Sequence, residues 1–413
     1  MPDPALPAPR LRPFRGVRYD PRRVDDLSAM VCPPYDDIGP DRARDLRSRP
    51  HHIARLLHGD DPRRAGAHLD QWLRAGVLVQ DPRPTLYVYR QHTGTGRSTR
   101  VLQQGVIGAL DLPLPGRGTV LPHEDVQPHT VAARARLMEA LRAQPEPLLL
   151  TYHAAASAAE RAINRVTGTP PVAAARTGAV THLLWSCANP DDQAVIAAEV
   201  ARHQLLIADG HHRHAACLRL HDRHGAGPNP WRSCLALLVN SATHPLRLAA
   251  IHRVIPGLEP DKAAAAAADV ACVRPLLDGP RVPLPGTLVI SGGGRAWSVT
   301  DPDPTALDEA LTGKPARWRD VPAAVADHLL LARAWSTHNL PGAVRHVHDA
   351  RQATAAVAGT GGGTALLLPP MAEPTVRELA ATGVLLPHKS TSFGPKPAAG
   401  LVLRLLDSPE EPH

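Results

Sequence analysis

The segment Leu205–Leu218, LLIADGHHRHAACL, places an acid, a glycine and several basic side chains where an apolar run gives way to a small-residue run. Leu205 to Ala208 read as a buried strand and Asp209-Gly210 as a turn. His211 opens a helix in which Ala215, Ala216, Leu218 and Leu220 face a core. Where a strand's carboxyl end leads into a helix's amino end, unpaired N–H groups and the helix dipole favour an anion. On this reading the Gly210 backbone, His211, His212 and Arg213 hold a phosphate, with Arg213 forking onto its oxygens, while Asp209 holds Mg2+ or orients a hydroxyl. The plainer alternative, an Asp-Gly turn followed by solvated histidines, fits the spacing equally well. A zinc site on Asp209, His211 and His212 fits less well, because adjacent helical residues point about 100° apart. The chain also has no HExxH and no third His or Cys at diagnostic spacing.

Three further segments carry chemistry. In HKSTSFGPK, residues 388–396, Lys389, Ser390, Thr391 and Lys396 combine two cations with two hydroxyls among Gly and Pro, a composition suited to a loop around phosphate. It lacks GxxxxGK[ST] spacing, so a P-loop is not implied. LPHEDV, residues 121–126, offers His123, Glu124 and Asp125 just before an Arg-rich helix. Glu124 is the candidate general base, and an exposed acidic turn pairing with Arg134 or Arg136 is the alternative. CPPYDD, residues 32–37, puts Tyr35 and Asp36 beside a rigid Pro-Pro; these two, with Arg15 and His123, are candidate lining of a substrate pocket, or else a structural turn.

The rest of the chain must position these groups. With 413 residues, 43% of them hydrophobic, it is long enough for one large domain or two. Its 44 Pro and 31 Gly favour many short elements over long bundles. The formal charge of +7 suggests a polyanion partner until the 46 basic residues are divided: only Lys262, Lys314, Lys389 and Lys396 are lysines, and the arginines are spread among aspartates. A diffuse excess is not a nucleic-acid footprint. Five cysteines without a CxxC pair suggest neither a disulfide framework nor a thiolate zinc site, which makes a reducing, cytoplasmic setting the expectation. No stretch has the apolar length of a membrane helix.

Helices are expected over 41–57, 65–75, 130–143, 192–203, 211–225, 263–268, 321–337 and 375–382. Strands are expected over 86–90, 105–110, 148–152, 181–185, 205–208, 235–240, 248–252 and 365–368. This alternation argues for an α/β (α+β) fold of mixed sheets with covering helices. Residues 1–12 are Pro-rich and expected to be disordered; residues 13–256 form a motif-bearing domain; and residues 257–413 form a C-terminal region whose HKSTSFGPK segment returns to the site.

PFRGVRYD (13–20), CPPYDDI (32–38), LPHEDV, ADGHHR (208–213) and HKSTSFGPK, in this order, resemble the bacterial and archaeal family called domain of unknown function 1015. ADGHHR followed by a small-residue helix is similar to the DGxHR-type motif of the ParB/sulfiredoxin-like superfamily, which includes the nucleotide-binding ParB proteins and the free serine kinases. Departures from the family pattern are Cys32, Asp37, His214, His388 and Ser392, while the charged and Gly positions are kept. The resemblance implies a ParB-like element around the motif and a serine-kinase-like phosphotransferase that uses ATP or ADP, with Mg2+, on a small hydroxylated metabolite. In it Glu124, Asp209 and His211 act in catalysis, and Gly210, His212, Arg213, Lys389, Ser390, Thr391 and Lys396 contact phosphate or nucleotide. The alternatives are a ParB-like nucleotide-binding or DNA-associated regulator and a metal-dependent hydrolase on Asp209, His211 and His212.

Overall fold

The structure, a computed structural model, describes residues 8–33, 38–57, 59, 61–112, 118–155, 157–225, 229–337, 342–359 and 362–406. The chain divides into two units. The first comprises Met1–Leu121, Val126–Leu246 and Pro395–His413, and the second Pro122–Asp125 and Arg247–Gly394. The division thus falls at Leu246, ahead of the boundary after residue 256 that the sequence suggested, and Pro395–His413 is grouped with the first unit.

The first unit is built on a nine-stranded mixed sheet. Its spatial order is Val120–Leu121, Leu205–Asp209, Leu148–Tyr152, Ser233–Asn240, Arg100–Asp111, Leu86–Thr93, Val180–Cys187 and Ala173–Thr177, with Leu11–Arg12 also on Arg100–Asp111. Leu11 and Arg12 pair with Leu110 and Ala109, so order begins inside the stretch expected to be disordered. Ser233–Asn240 lies mid-sheet and is buried throughout, as an unbroken apolar run requires. Helices Pro128–Leu141, Ala158–Thr167, Pro190–Val200 and His211–His224 bury Met138, Ile163, Ile196 and Leu220 in the same core as Leu150, Leu205, Ile207 and Leu238. Cys217 and Cys234, a pair the cysteine spacing did not suggest, bring their sulfurs into disulfide contact between the His211–His224 helix and this central strand.

A four-stranded sheet, in the order Leu78–Gln80, Gly16–Tyr19, Leu403–Leu405 and Ala143–Gln144, completes the first unit beside Trp72, Leu69 and Ile53. The single helix expected over 41–57 is two, Pro40–Ser48 and Ala54–Leu57. Arg49 is extended, with ψ 135°, because Pro50 behind it disfavours helical backbone.

The second unit has a six-stranded sheet, in the order Ala271–Pro275, Arg295–Pro302, Leu288–Gly292, Thr364–Leu367, His252–Ile255 and Arg345–Val347. Beside it runs a ribbon of Arg247–Ala250 with Thr391–Gly394. One strand expected over 248–252 is therefore two, divided between ribbon and sheet. The mixed sheets with covering helices are those expected from the alternation. Among the described residues no helix is long and apolar enough to cross a membrane.

Candidate functional site

In the first unit, Leu205–Asp209 runs antiparallel to Leu148–Tyr152, and its register shifts between Ile207 and Asp209. Such a bulge re-aims the side chains at a strand's end. It lengthens the strand to Asp209, one residue beyond the expected end. Gly210 then takes φ 99°, a conformation open to Gly, and the helix starts at His211. A Cβ on Gly210 would lie 3.1 Å from both Nε and Nη2 of Arg213 and 3.0 Å from Leu148 Cδ2. Gly210 is thus required twice, for its backbone angle and because the Arg213 guanidinium folds over it.

Arg213 Nη2 donates to Asp209 Oδ2 at 2.5 Å, and Nη1 to the Pro147 carbonyl at 2.5 Å. Lys396 Nζ stands 2.8 Å from the other Asp209 oxygen. All three side chains are mostly buried. One carboxylate is thus held between two cations at a helix amino end. His212 Nε2 accepts the Gln127 N–H at 3.1 Å, which leaves the ring proton on Nδ1. His211 is buried at the helix start.

Asp209 has the chemistry of a magnesium ligand, but both of its oxygens are engaged by cations, and a divalent ion there would face Arg213 and Lys396. The site as arranged does not fit the ion. Nor does the hydrolase constellation form: among the described residues no three His, Cys, Asp or Glu side chains are grouped to hold a metal.

Three histidines away from the motif's polar edge record how dry the two units are. His214, on the inward face of the His211–His224 helix, is 8% exposed, and its Nε2 has no hydrogen-bond partner among the described residues. Burial pushes it down to about 4, and does the same to His182 and His252. The unfolded chain takes up these protons near 6.5 and the folded chain only near 4. Their contribution is therefore whole above pH 6.5 and is lost as pH falls towards 4. His214→Phe should lose less thermal stability than the parent between pH 7.5 and pH 5, measured by circular dichroism melts; an unchanged acid limb would contradict this account.

In the second unit the remaining candidates form their own cluster. Glu124 makes a parallel bridge to Leu386, and its Oε1 accepts the Lys389 N–H at 2.5 Å, with His388 Nδ1 at 3.3 Å. The Lys389 carbonyl accepts from Arg253 Nη1 at 3.0 Å. Lys389 is thus gripped on both sides of a left-handed φ of 58°, a conformation a Lys adopts only when its surroundings fix it. His123, 1% exposed, bonds Thr391 Oγ1 through Nε2 at 2.9 Å and packs on Phe393. Ser390 Oγ donates to the Pro387 carbonyl at 2.5 Å. Ser390 and Thr391 are both buried, with their hydroxyls bonded to the Pro387 carbonyl and to His123.

Arg15 Nε donates to the Asp81 carbonyl at 3.0 Å, beside Arg18, which forks onto the Asp81 carboxylate. Tyr35 and Asp36 lie outside the described residues. The sequence reading missed Gln91 and Gln103, which hold the backbone ahead of Lys396, and Arg253, which holds Lys389. Polar side chains within strands gave no signal of either role.

No curated protein matches the chain. Among solved structures it is similar to a C-terminally truncated SbnI from Staphylococcus aureus, at TM-score 0.40 and 11% identity, over 74% of this chain and 90% of that one. It is similar to a free serine kinase in complex with AMP at TM-score 0.37 and 12% identity, over 70% and 87% of the two chains. A conserved hypothetical protein from Pyrococcus furiosus matches at TM-score 0.37 and 13% identity, over 73% and 96%. At these scores none of the likenesses assigns a residue or a reaction to this chain. The family model described as protein of unknown function, DUF1015, matches residues 11–318, and the chain belongs to that family.

Proposed function

We propose that the protein is a nucleotide-dependent phosphotransferase, with ATP or ADP as donor and a small hydroxylated metabolite as acceptor. The observation that carries this reading is the grouping of Gly210, Arg213 and Lys396 around Asp209 at a helix amino end. Asp209 keeps the two cations aligned before any anion arrives. A phosphate then meets a preformed pair of positive charges at a helix amino end.

Phosphoryl transfer asks a protein mainly for positioning and charge neutralisation. The donor's terminal P–O bond breaks, a P–O bond to the acceptor oxygen forms, and the acceptor's proton leaves to a base. Arg213 and Lys396 take the charge on the transferred group, and the His211 and His212 region lies against the donor's other phosphates.

The test is direct. Purified full-length protein with ATP or ADP and Mg2+ is incubated with serine and a panel of hydroxylated metabolites, and products are read by mass spectrometry. A phosphorylated acceptor whose formation fails in Arg213→Ala is the expected result. No nucleotide binding by calorimetry and no product across the panel would overturn the reading.

A further inference from the structure

Lys396 reaches Asp209 because of where its backbone is held. Pro395 and Lys396 run past the strands Leu86–Thr93 and Arg100–Asp111, and two glutamines receive them. Gln91 Nε2 donates to the Lys396 carbonyl at 2.8 Å and Gln103 Nε2 to the Pro395 carbonyl at 2.7 Å. The two glutamines face each other in register and are joined amide to amide at 3.3 Å. Their exposures are 1% and 0%. Two residues along the strand, and so on the same face, the Tyr89 hydroxyl accepts the Ala398 N–H at 3.1 Å and is itself oriented by His182.

Three backbone groups of the passing segment are thus met by a buried polar row. Burying an amide costs about 1–3 kcal/mol unless it is bonded, so apolar residues would be the default at these positions. Glutamines there are explained by what they hold. A carbonyl acceptor at each of two successive residues fixes register: a slip by one residue would offer Gln91 the Pro395 carbonyl and carry the Lys396 side chain off Asp209.

We propose that Gln91 and Gln103 are positioning residues, which dock the 395–398 segment in the one register that sets the Lys396 ammonium against Asp209 and so give the phosphate site its second cation. The proposal rests on the phosphate-site reading above, and its test separates the two. Full-length Gln91→Met/Gln103→Met protein, which keeps side-chain volume and removes both amides, is compared with Lys396→Ala and with the triple variant.

ADP affinity is read by calorimetry, and the rate of Lys396 acetylation by acetic anhydride is read by mass spectrometry. The glutamine variant should bind ADP about tenfold more weakly, Lys396→Ala about as weakly, and the triple variant no more weakly than Lys396→Ala alone, since all three act through one ammonium. Lys396 should acetylate several-fold faster in the glutamine variant.

Losses that multiply in the triple variant, or unchanged acetylation, overturn the proposal. Faster acetylation in a protein whose parent does not bind ADP keeps the docking and removes the phosphate-site reading. If the glutamine variant does not fold, hydrogen exchange in the parent decides: the Ala398 N–H should exchange far more slowly than in a free peptide, and free-peptide exchange overturns the docking.

Discussion

Arg213→Ala should weaken ADP binding about a hundredfold and destabilise the first unit by about 2–3 kcal/mol. The binding loss follows from removing a fork of two charge-assisted hydrogen bonds to phosphate, together worth about 3 kcal/mol, at about 1.4 kcal/mol per tenfold. The stability loss has a separate source. Arg213 bonds the Pro147 carbonyl and one Asp209 oxygen, and its removal takes that donor from the carbonyl and leaves the carboxylate its pairing through Lys396. Arg213→Lys keeps the charge and loses the fork, so its binding should fall between parent and Ala variant. Calorimetric titration gives the affinity and urea unfolding the stability. Parent-like ADP affinity in folded Arg213→Ala would remove Arg213 from the site.

The elements that build the first unit were legible because their signals are local. The apolar run before Asp209, the glycine at the turn and the small-residue face of the following helix each constrain their own neighbours, and the structure places strand, left-handed Gly210 and helix accordingly. Lys396 stood out for a compositional reason: lysine is so scarce here that its location informs. Gln91 and Gln103 were invisible, because a glutamine in a strand reads as a solvent-facing residue until another segment is known to cover it. The inward turn of Ser390 and Thr391 was equally hidden, since a hydroxyl among Gly and Pro reads as a ligand donor unless its partner, His123 or the Pro387 carbonyl, is seen. The split before Pro50 is itself a local signal, since a proline disfavours helical backbone at the residue ahead of it.

Arg253 is the clearest case of a residue lost in composition, one arginine among many, and its replacement should have the largest effect on the second unit. It is 0% exposed; Nε and Nη2 fork onto Asp327 at 3.0 and 2.9 Å, and Nη1 donates to the Ile251 and Lys389 carbonyls. Arg253→Met should cost about 3–5 kcal/mol, because it strands the Asp327 carboxylate and two carbonyls without their donor. Asp327→Leu should likewise leave a guanidinium buried without its counter-charge. The two side chains are bonded to each other, so the losses should not add: Arg253→Met/Asp327→Leu should be less destabilised than the sum of the single variants, since the double removes both charges together. Urea unfolding followed by circular dichroism measures all three. The Lys389 carbonyl makes the effect local as well as global, because Arg253 is one of the two groups that hold Lys389 in its left-handed conformation, the other being Glu124. Lys389→Gly, which adopts that angle without strain, should therefore recover part of the stability lost in Arg253→Met. Additive losses in the double variant, with no recovery from Lys389→Gly, would mean that the Arg253–Asp327 pair and the Lys389 turn are energetically independent.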